Sequence, residues 1–168
     1  MSEKNSKQTS VETDYAEIAE KHTDPISGHR SLYAKVNRKA GEVIVPFTAK
    51  NVTDQPSYLT IQVNEHEHIE LLPAYLECTN HSCDPNCFFD TTAWELIALK
   101  SIQAGEELTF FYPSTEWDMD QVFECRCGSS ACMGHIQGAR YLSDEIIIQY
   151  RFTDFINGKL ALNSGINS

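Results

Sequence analysis

Six cysteines gather in two short stretches of a 168-residue chain, at 78, 83 and 87 and again at 125, 127 and 132. In the second stretch Cys125-Arg126-Cys127 is followed by Cys132 across Gly128, Ser129 and Ser130, which puts three thiols in one loop. Three thiolates lack one donor of the four that structural zinc takes in a tetrahedral site. Cys83, Cys87, Cys78, His81 and His135 are the candidates for the fourth position. In a reducing compartment such clustering favours a metal over disulfides, with free core thiols or a redox pair as the plainer alternatives. A second string, Glu65-His66-Glu67-His68, also carries ligand types. Alternate residues of a strand face one way and no third ligand is evident, so it is read as a solvated turn.

The elements that must position these groups are mostly strands. Leu32–Val36 is strand-like, Ala40-Gly41 signals a turn, and Glu42–Val45 is a second strand ended by Pro46. Ser57–Val63 alternates as a strand in which Tyr58 packs into a core, Ile69–Leu72 is short and apolar, and Trp94–Leu99 is another β-rich run. Between Leu99 and Thr109 the turn residue Gly105 again joins two strands, which makes the chain mainly β. Residues 1 to about 24 are polar apart from Val11, Tyr15, Ile18 and Ala19 and read as a disordered tail or one amphipathic turn. After Gly138 one C-terminal helix is expected, capped by Ser143, with Ile146, Ile147, Tyr150, Phe155 and Leu160 on a face and Gly158 near its end.

Composition narrows the function. With 41% apolar residues the chain can bury one core, and no apolar run approaches the length that spans a bilayer, so no membrane partner is expected. The polar start, MSEKNSKQTS, is not followed by the apolar region of a secretory signal, which places the protein in the cytoplasm or nucleus. A net charge of -11 repels phosphate backbones and argues against direct nucleic-acid binding, while an acidic surface can steer a basic peptide. A monomer is expected.

Asn80-His81-Ser82-Cys83-Asp84-Pro85-Asn86 resembles the signature of the SET-domain protein lysine methyltransferases without a mismatch. Gly105-Glu106-Glu107-Leu108-Thr109-Phe110-Phe111-Tyr112 is similar to their second signature, and Cys125-x-Cys127-x4-Cys132-x-Gly134 to their cysteine-rich post-SET segment. The three motifs occur in family order, and the resemblance spans about residues 28 to 138. It implies a polar tail over 1–24, a SET domain over 25–112, a post-SET zinc segment over 113–139 and a helical extension over 140–168. It also implies a SET fold of several short sheets with a knot-like C-terminal threading beside the Asn-His string.

By the same resemblance the cofactor is S-adenosylmethionine, and zinc (Zn2+) is held by Cys83 with Cys125, Cys127 and Cys132. Asn80 and His81 are implied as cofactor-binding, with backbone contacts from His29 and Arg30, and Tyr112 as the active-site tyrosine beside both cofactor and amine. The expected acceptor is a lysine in a histone or another basic protein. Phe110 occupies a position where phenylalanine, lacking a water-binding hydroxyl, leaves room for more than one methyl group. Three features depart from the pattern: Ser31 stands where a second glycine is usual, Phe111 replaces an aspartate, and only about seventeen residues, Lys50 to His66, fill the region that shapes the peptide groove in relatives. These departures keep a second reading open, a catalytically silent SET-like module that binds peptide or protein. A purely zinc-stabilised interaction domain comes last, because it leaves Asn80, His81 and Tyr112 unexplained.

Overall fold

The structure, a computed structural model, describes residues 17–166. The turn expected around Val11 and Tyr15 therefore lies outside the described residues. The end of the stretch read as a tail is a strand: β1 (Ala19–Thr23) pairs antiparallel with β2 (Arg30–Ala34). Asp24 closes this hairpin, its Oδ1 accepting the N–H groups of Ile26 and Ser27. β1 buries only Ala19 and owes its form to β2, which buries Leu32 and Ala34, so nothing local to residues 19–23 announces a strand.

β3 (Val43–Pro46) leads through Phe47 into β4 (Thr48–Thr53), which the sequence reading did not assign. β5 (Thr60–Gln62) is shorter than the alternating run suggests. Ser57 to Leu59 instead form a turn, in which Thr60 Oγ1 accepts from Ser57 N–H and Ser57 Oγ from Leu59 N–H. Tyr58 sits on that turn and is 69% exposed, which corrects its expected place in the core. β5 and β4 flank β6 (His68–Leu72) in a three-stranded antiparallel sheet.

β7 (Asn80–His81), β8 (Cys87–Asp90), β9 (Glu95–Ala98) and β10 (Thr109–Phe110) complete the central sheet, whose order is β3-β9-β8-β10-β7. β10 comes late in the chain yet inserts between β7 and β8, parallel to both. Asn86 clamps the inserted strand, its Nδ2 donating to Glu107 O at 2.8 Å and its Oδ1 accepting from Thr109 N–H at 2.9 Å. Phe89, Leu96, Leu108, Ile102 and Leu32 fill the core around it, each at most 1% exposed. This is the threaded SET fold that the motifs imply.

β11 (Phe123–Glu124) and β12 (His135–Ile136) form a two-stranded ribbon bearing the cysteine loop. Gly138, at φ 118°, follows it where a Cβ would lie 2.5 Å from the Trp117 carbonyl oxygen, so only glycine fits. The single C-terminal helix of the sequence reading is two: one turn, α1 (Asp144–Ile147), and α2 (Asp154–Ile166). Ser143 makes no side-chain cap, whereas Thr153 Oγ1 accepts from Ile156 N–H at the second start. The break lets Tyr150 and Phe152 turn inward, where Phe111, Ala139, Phe152 and Ile156 form a second apolar cluster, and Gly158 falls inside α2 instead of ending it.

Candidate functional site

A cleft of about 660 Å³ opens where β7 and β10 meet the cysteine ribbon, and His29, Asn80, His81, Phe110 and Tyr112 line it. Thr109 and Phe110 lie in register with Asn80 and His81, so the threaded strand delivers Tyr112 to the Asn-His pair. Asn80 ties in the chain near residue 30: its Nδ2 donates to Arg30 O at 2.8 Å and lies 3.2–3.3 Å from His29 Nε2, Glu107 Oε1 and Ser31 Oγ. Ser31, the unexpected residue of that turn, thus adds an acceptor for Asn80. Arg30 brings its carbonyl to the site but sends its guanidinium to Glu77, 2.9 Å away. His29 contributes an exposed ring to the cleft wall.

Both nitrogens of His81 face the protein. Nδ1 accepts from the Tyr112 backbone N–H at 3.1 Å, and because that N–H can only donate, the proton of the neutral ring is on Nε2, which faces Cys83 Sγ at 3.3 Å. Burial pushes His81 down to about 4, so the ring is neutral near pH 7. His81 therefore positions Tyr112 and Cys83 and offers a ligand the face of its ring.

Tyr112 is enclosed by aromatic rings: Phe110 at 4.7 Å, His81 at 5.2 Å and Phe123 at 5.8 Å between centroids. Burial, with Glu116 and Glu107 adding repulsion, pushes its phenol up to about 12, so the hydroxyl keeps its proton. It donates to Thr79 O at 3.5 Å, a weak bond that leaves the hydroxyl available to a ligand. Phe111 points away from the cleft and stacks on Tyr150, with centroids 3.8 Å apart and planes at 12°. Tyr150 OH then donates to Cys83 O at 2.6 Å. The charge lost where an aspartate is usual is replaced by an aromatic contact with the C-terminal segment.

The sulfurs of Cys83, Cys125, Cys127 and Cys132 lie within 4.8 Å of one another. Zinc–sulfur bonds of about 2.3 Å in a tetrahedron place sulfurs about 3.8 Å apart, close to the 3.9 Å between Cys83 and Cys125. The donor set fits zinc. The other candidates for the fourth position are engaged elsewhere: Cys87 against Asn86 Oδ1, His135 with Glu124, Cys78 in the 3-10 turn before β7, and His81 between the Tyr112 N–H and Cys83. Burial pushes the Cys83 thiol up to about 11 and raises Cys125 further. Burial also opposes ionisation of Cys127, but backbone donors at Cys83 and Ser129 and the thiols of Cys125 and Cys132 outweigh it and bring Cys127 down to about 6.

Three cleft residues were misjudged or missed in sequence: Tyr58, weighed for the lysine channel but assigned to the core, His68 and Glu116. Tyr58 lines the wall instead of the core. His68, assigned to a solvated turn, is 9% exposed on β6 and lines the cleft, with Nδ1 buried and without a hydrogen-bond partner. Glu116 lines it four residues after Tyr112. An acid following a signature tyrosine is unremarkable in sequence, and only the fold shows that its carboxyl is enclosed.

The SET domain profile matches residues 29–113, half of the chain. This chain belongs to the SET-domain family. The SET chain is 36% identical over 124 residues to Methyltransferase flvH of Aspergillus flavus, covering 73% of this chain and 69% of that protein. It is 31% identical to the histone-lysine N-methyltransferase, H3 lysine-4 specific, of Emericella nidulans, over 62% of this chain but only 10% of that protein. Among solved structures, the SET fold of KRYPTONITE in complex with mCHH DNA, H3(1-15) peptide and SAH superposes with a TM-score of 0.53 at 19% identity, covering 70% of this chain and 29% of that one. The cysteine ribbon is consistent with a post-SET segment.

Proposed function

We propose that the protein transfers methyl groups from S-adenosylmethionine to the side-chain amine of a lysine in a basic protein or peptide, acting as a monomer in the cytoplasm or nucleus. The observation that carries this reading is the convergence of Asn80, His81 and Tyr112 on one cleft beside a tetrathiol site that fits zinc. Curated relatives named as histone-lysine N-methyltransferases, and a related fold solved with an H3 peptide and SAH, support it. When bound, S-adenosylmethionine supplies a methyl group already activated on a sulfonium sulfur. The protein's work is alignment and desolvation.

Asn80 would hold the cofactor by anchoring the His29–Ser31 turn, with the face of His81 alongside. Phe110 and Tyr112, in contact with each other, form an enclosed aromatic part of the cleft wall, and desolvation there disfavours an ammonium, so a lysine held against them is shifted towards its nucleophilic, neutral form. The Tyr112 hydroxyl, protonated and lightly bonded, orients the amine. Zinc held by Cys83, Cys125, Cys127 and Cys132 would fix the ribbon that brings Phe123 against Tyr112. Acidic wall residues such as Glu77, Asp118 and Asp120 suit a basic acceptor. The silent-module reading draws on Ser31 and Phe111, yet Ser31 supports Asn80 and Phe111 faces away from the cleft.

Calorimetric titration of S-adenosylmethionine into zinc-loaded protein tests the reading. Wild type binds, Asn80→Ala loses about ten-fold or more in affinity through the hydrogen bonds it gives up, and Tyr112→Phe binds but turns over slowly. Mass spectrometry of a methylated basic peptide then reads the product, with more than one methyl expected beside Phe110. Folded, zinc-loaded wild type that fails to bind would leave the silent module in its place.

A further inference from the structure

The reaction proposed above needs a step that none of the residues so far assigned performs. A free lysine amine has a pKa of about 10.4 and enters the cleft as an ammonium, which has no lone pair to offer. Tyr112 holds its own proton up to about 12 and cannot take another. His81 spends Nδ1 on the Tyr112 backbone and turns Nε2 to Cys83. Glu77 is paired with Arg30, and Asp118 with Arg140 and Tyr141. Glu107 already lies 3.2 Å from the Asn80 amide.

Glu116 is placed differently. Its backbone N–H donates to Tyr112 O at 3.2 Å, so it belongs to the same turn as the tyrosine. Its Oε2 accepts from Gln62 N–H at 3.0 Å, its own carbonyl accepts from Ala139 N–H at 2.8 Å, and Gln62 Oε1 accepts from Trp117 N–H at 3.1 Å. The residue is thus held between β5, the Tyr112 turn and the segment after β12, and it lines the same cleft as Phe110 and Tyr112. The residue is half-buried, and its carboxyl lies away from bulk water.

We propose that Glu116 accepts the proton that the acceptor lysine must lose before methyl transfer. This deepens the function proposed above and rests on it. In the step, an N–H bond of the substrate ammonium breaks, an O–H bond forms on the carboxylate, and the nitrogen keeps the electron pair as a neutral amine. Two charges in an enclosed cleft become none, so the desolvation that penalises each ion favours the transfer. Burial already raises the Glu116 carboxyl well above the usual range, as a proton acceptor for chemistry near neutral pH requires. Tyr112, on its own turn, feels the Glu116 charge, and the cleft they share is also lined by His29, His68, Glu77, His81, Glu107, Asp118 and Asp120. Arg126 is the only guanidinium in the described wall, which contains no lysine, and the influences on the Glu116 carboxyl are burial and the Gln62 N–H.

The test is the pH–rate profile of wild type and Glu116→Gln on a basic peptide, with zinc content and calorimetric S-adenosylmethionine binding measured on both. Glutamine copies the protonated acid and can still accept from Gln62 N–H, so the variant is expected to fold and to bind cofactor as wild type does. Wild-type kcat/KM rises with pH through a carboxyl-type step. Glu116→Gln loses that step, is slower by about 10²- to 10⁴-fold near pH 7, and recovers as pH approaches about 10, where free lysine sheds its own proton. A second readout needs no turnover: infrared spectra recorded as a function of pH show a carboxyl that titrates above the usual carboxylate range in wild type and is missing from Glu116→Gln. A variant that matches wild type, or is slower by one factor at every pH, overturns the assignment and leaves the methyltransferase reading intact. Wild type that binds cofactor but methylates no lysine sinks both.

Discussion

Two regions frame the cleft and are held by different forces. The threaded sheet around β10 rests on side chains such as Phe89, Leu96 and Leu108, each at most 1% exposed, and burial of each contributes about 1.5–3 kcal/mol. The cysteine ribbon has two strands of two residues each, and its buried cluster is Ile136 with Cys83 and Cys125, edged by partly buried Phe123, Met119 and Met133. That is too little apolar burial to order such a loop, so the ribbon depends on a cross-link where the sheet depends on packing. One wall of the cleft, bearing Asn80, His81 and Tyr112, should outlast loss of the metal; the other, bearing Phe123 to Cys127, should not.

Chelation is the harshest way to break this contrast. Metal binding to such thiolate sites is worth on the order of 10 kcal/mol. Zinc-stripped protein, or Cys127→Ser, should lose hydrogen-exchange protection across residues 119–136 while amides of β8 to β10 stay protected. Equal loss in both regions would mean that the metal supports the sheet as well. On the other side, Phe89→Ala should cost about 3–5 kcal/mol in denaturant unfolding, because it leaves a cavity where Phe47 and Phe110 now pack. Metal content per folded molecule should stay unchanged; a variant that unfolds normally but releases zinc would reverse the assignment.

The smallest effect sharpens the contrast at the junction. Tyr150 stacks on Phe111, the residue before Tyr112, and donates to the carbonyl of the ligand Cys83, so it links the C-terminal segment to both walls. Tyr150→Phe keeps the stack and removes the hydrogen bond, with an expected loss of about 1 kcal/mol. Faster zinc release to a chelator, with an unfolding midpoint close to wild type, would place that loss at the ribbon; the reverse pattern would place it in the sheet.

Much of the site could be read from contiguous strings. Asn80 to Asn86 and Gly105 to Tyr112 each carry their constraint within seven or eight residues, as do the three cysteines of the loop, so their types and spacing point to the fold, the thiol cluster and the tyrosine. Readings that relied on local periodicity were weaker. Tyr58 alternates like a core aromatic but sits on a turn closed by Ser57 and Thr60. The helical face from Ile146 to Leu160 is interrupted because Thr153 starts a new helix and frees Tyr150 to reach Phe111.

Short contiguous strings sufficed for the resemblance to the family, and through that resemblance for the expected threaded β architecture and the four thiols, Cys83 included. Contacts between distant parts of the chain were needed to show that His81 spends both nitrogens inside the protein, that residues 19–23 pair as a strand and that Glu116 is enclosed beside Tyr112. Each of these depends on groups brought together from distant parts of the chain. Enclosure, hydrogen-bond partners and ionisation are properties of those contacts and not of any residue's place in the sequence.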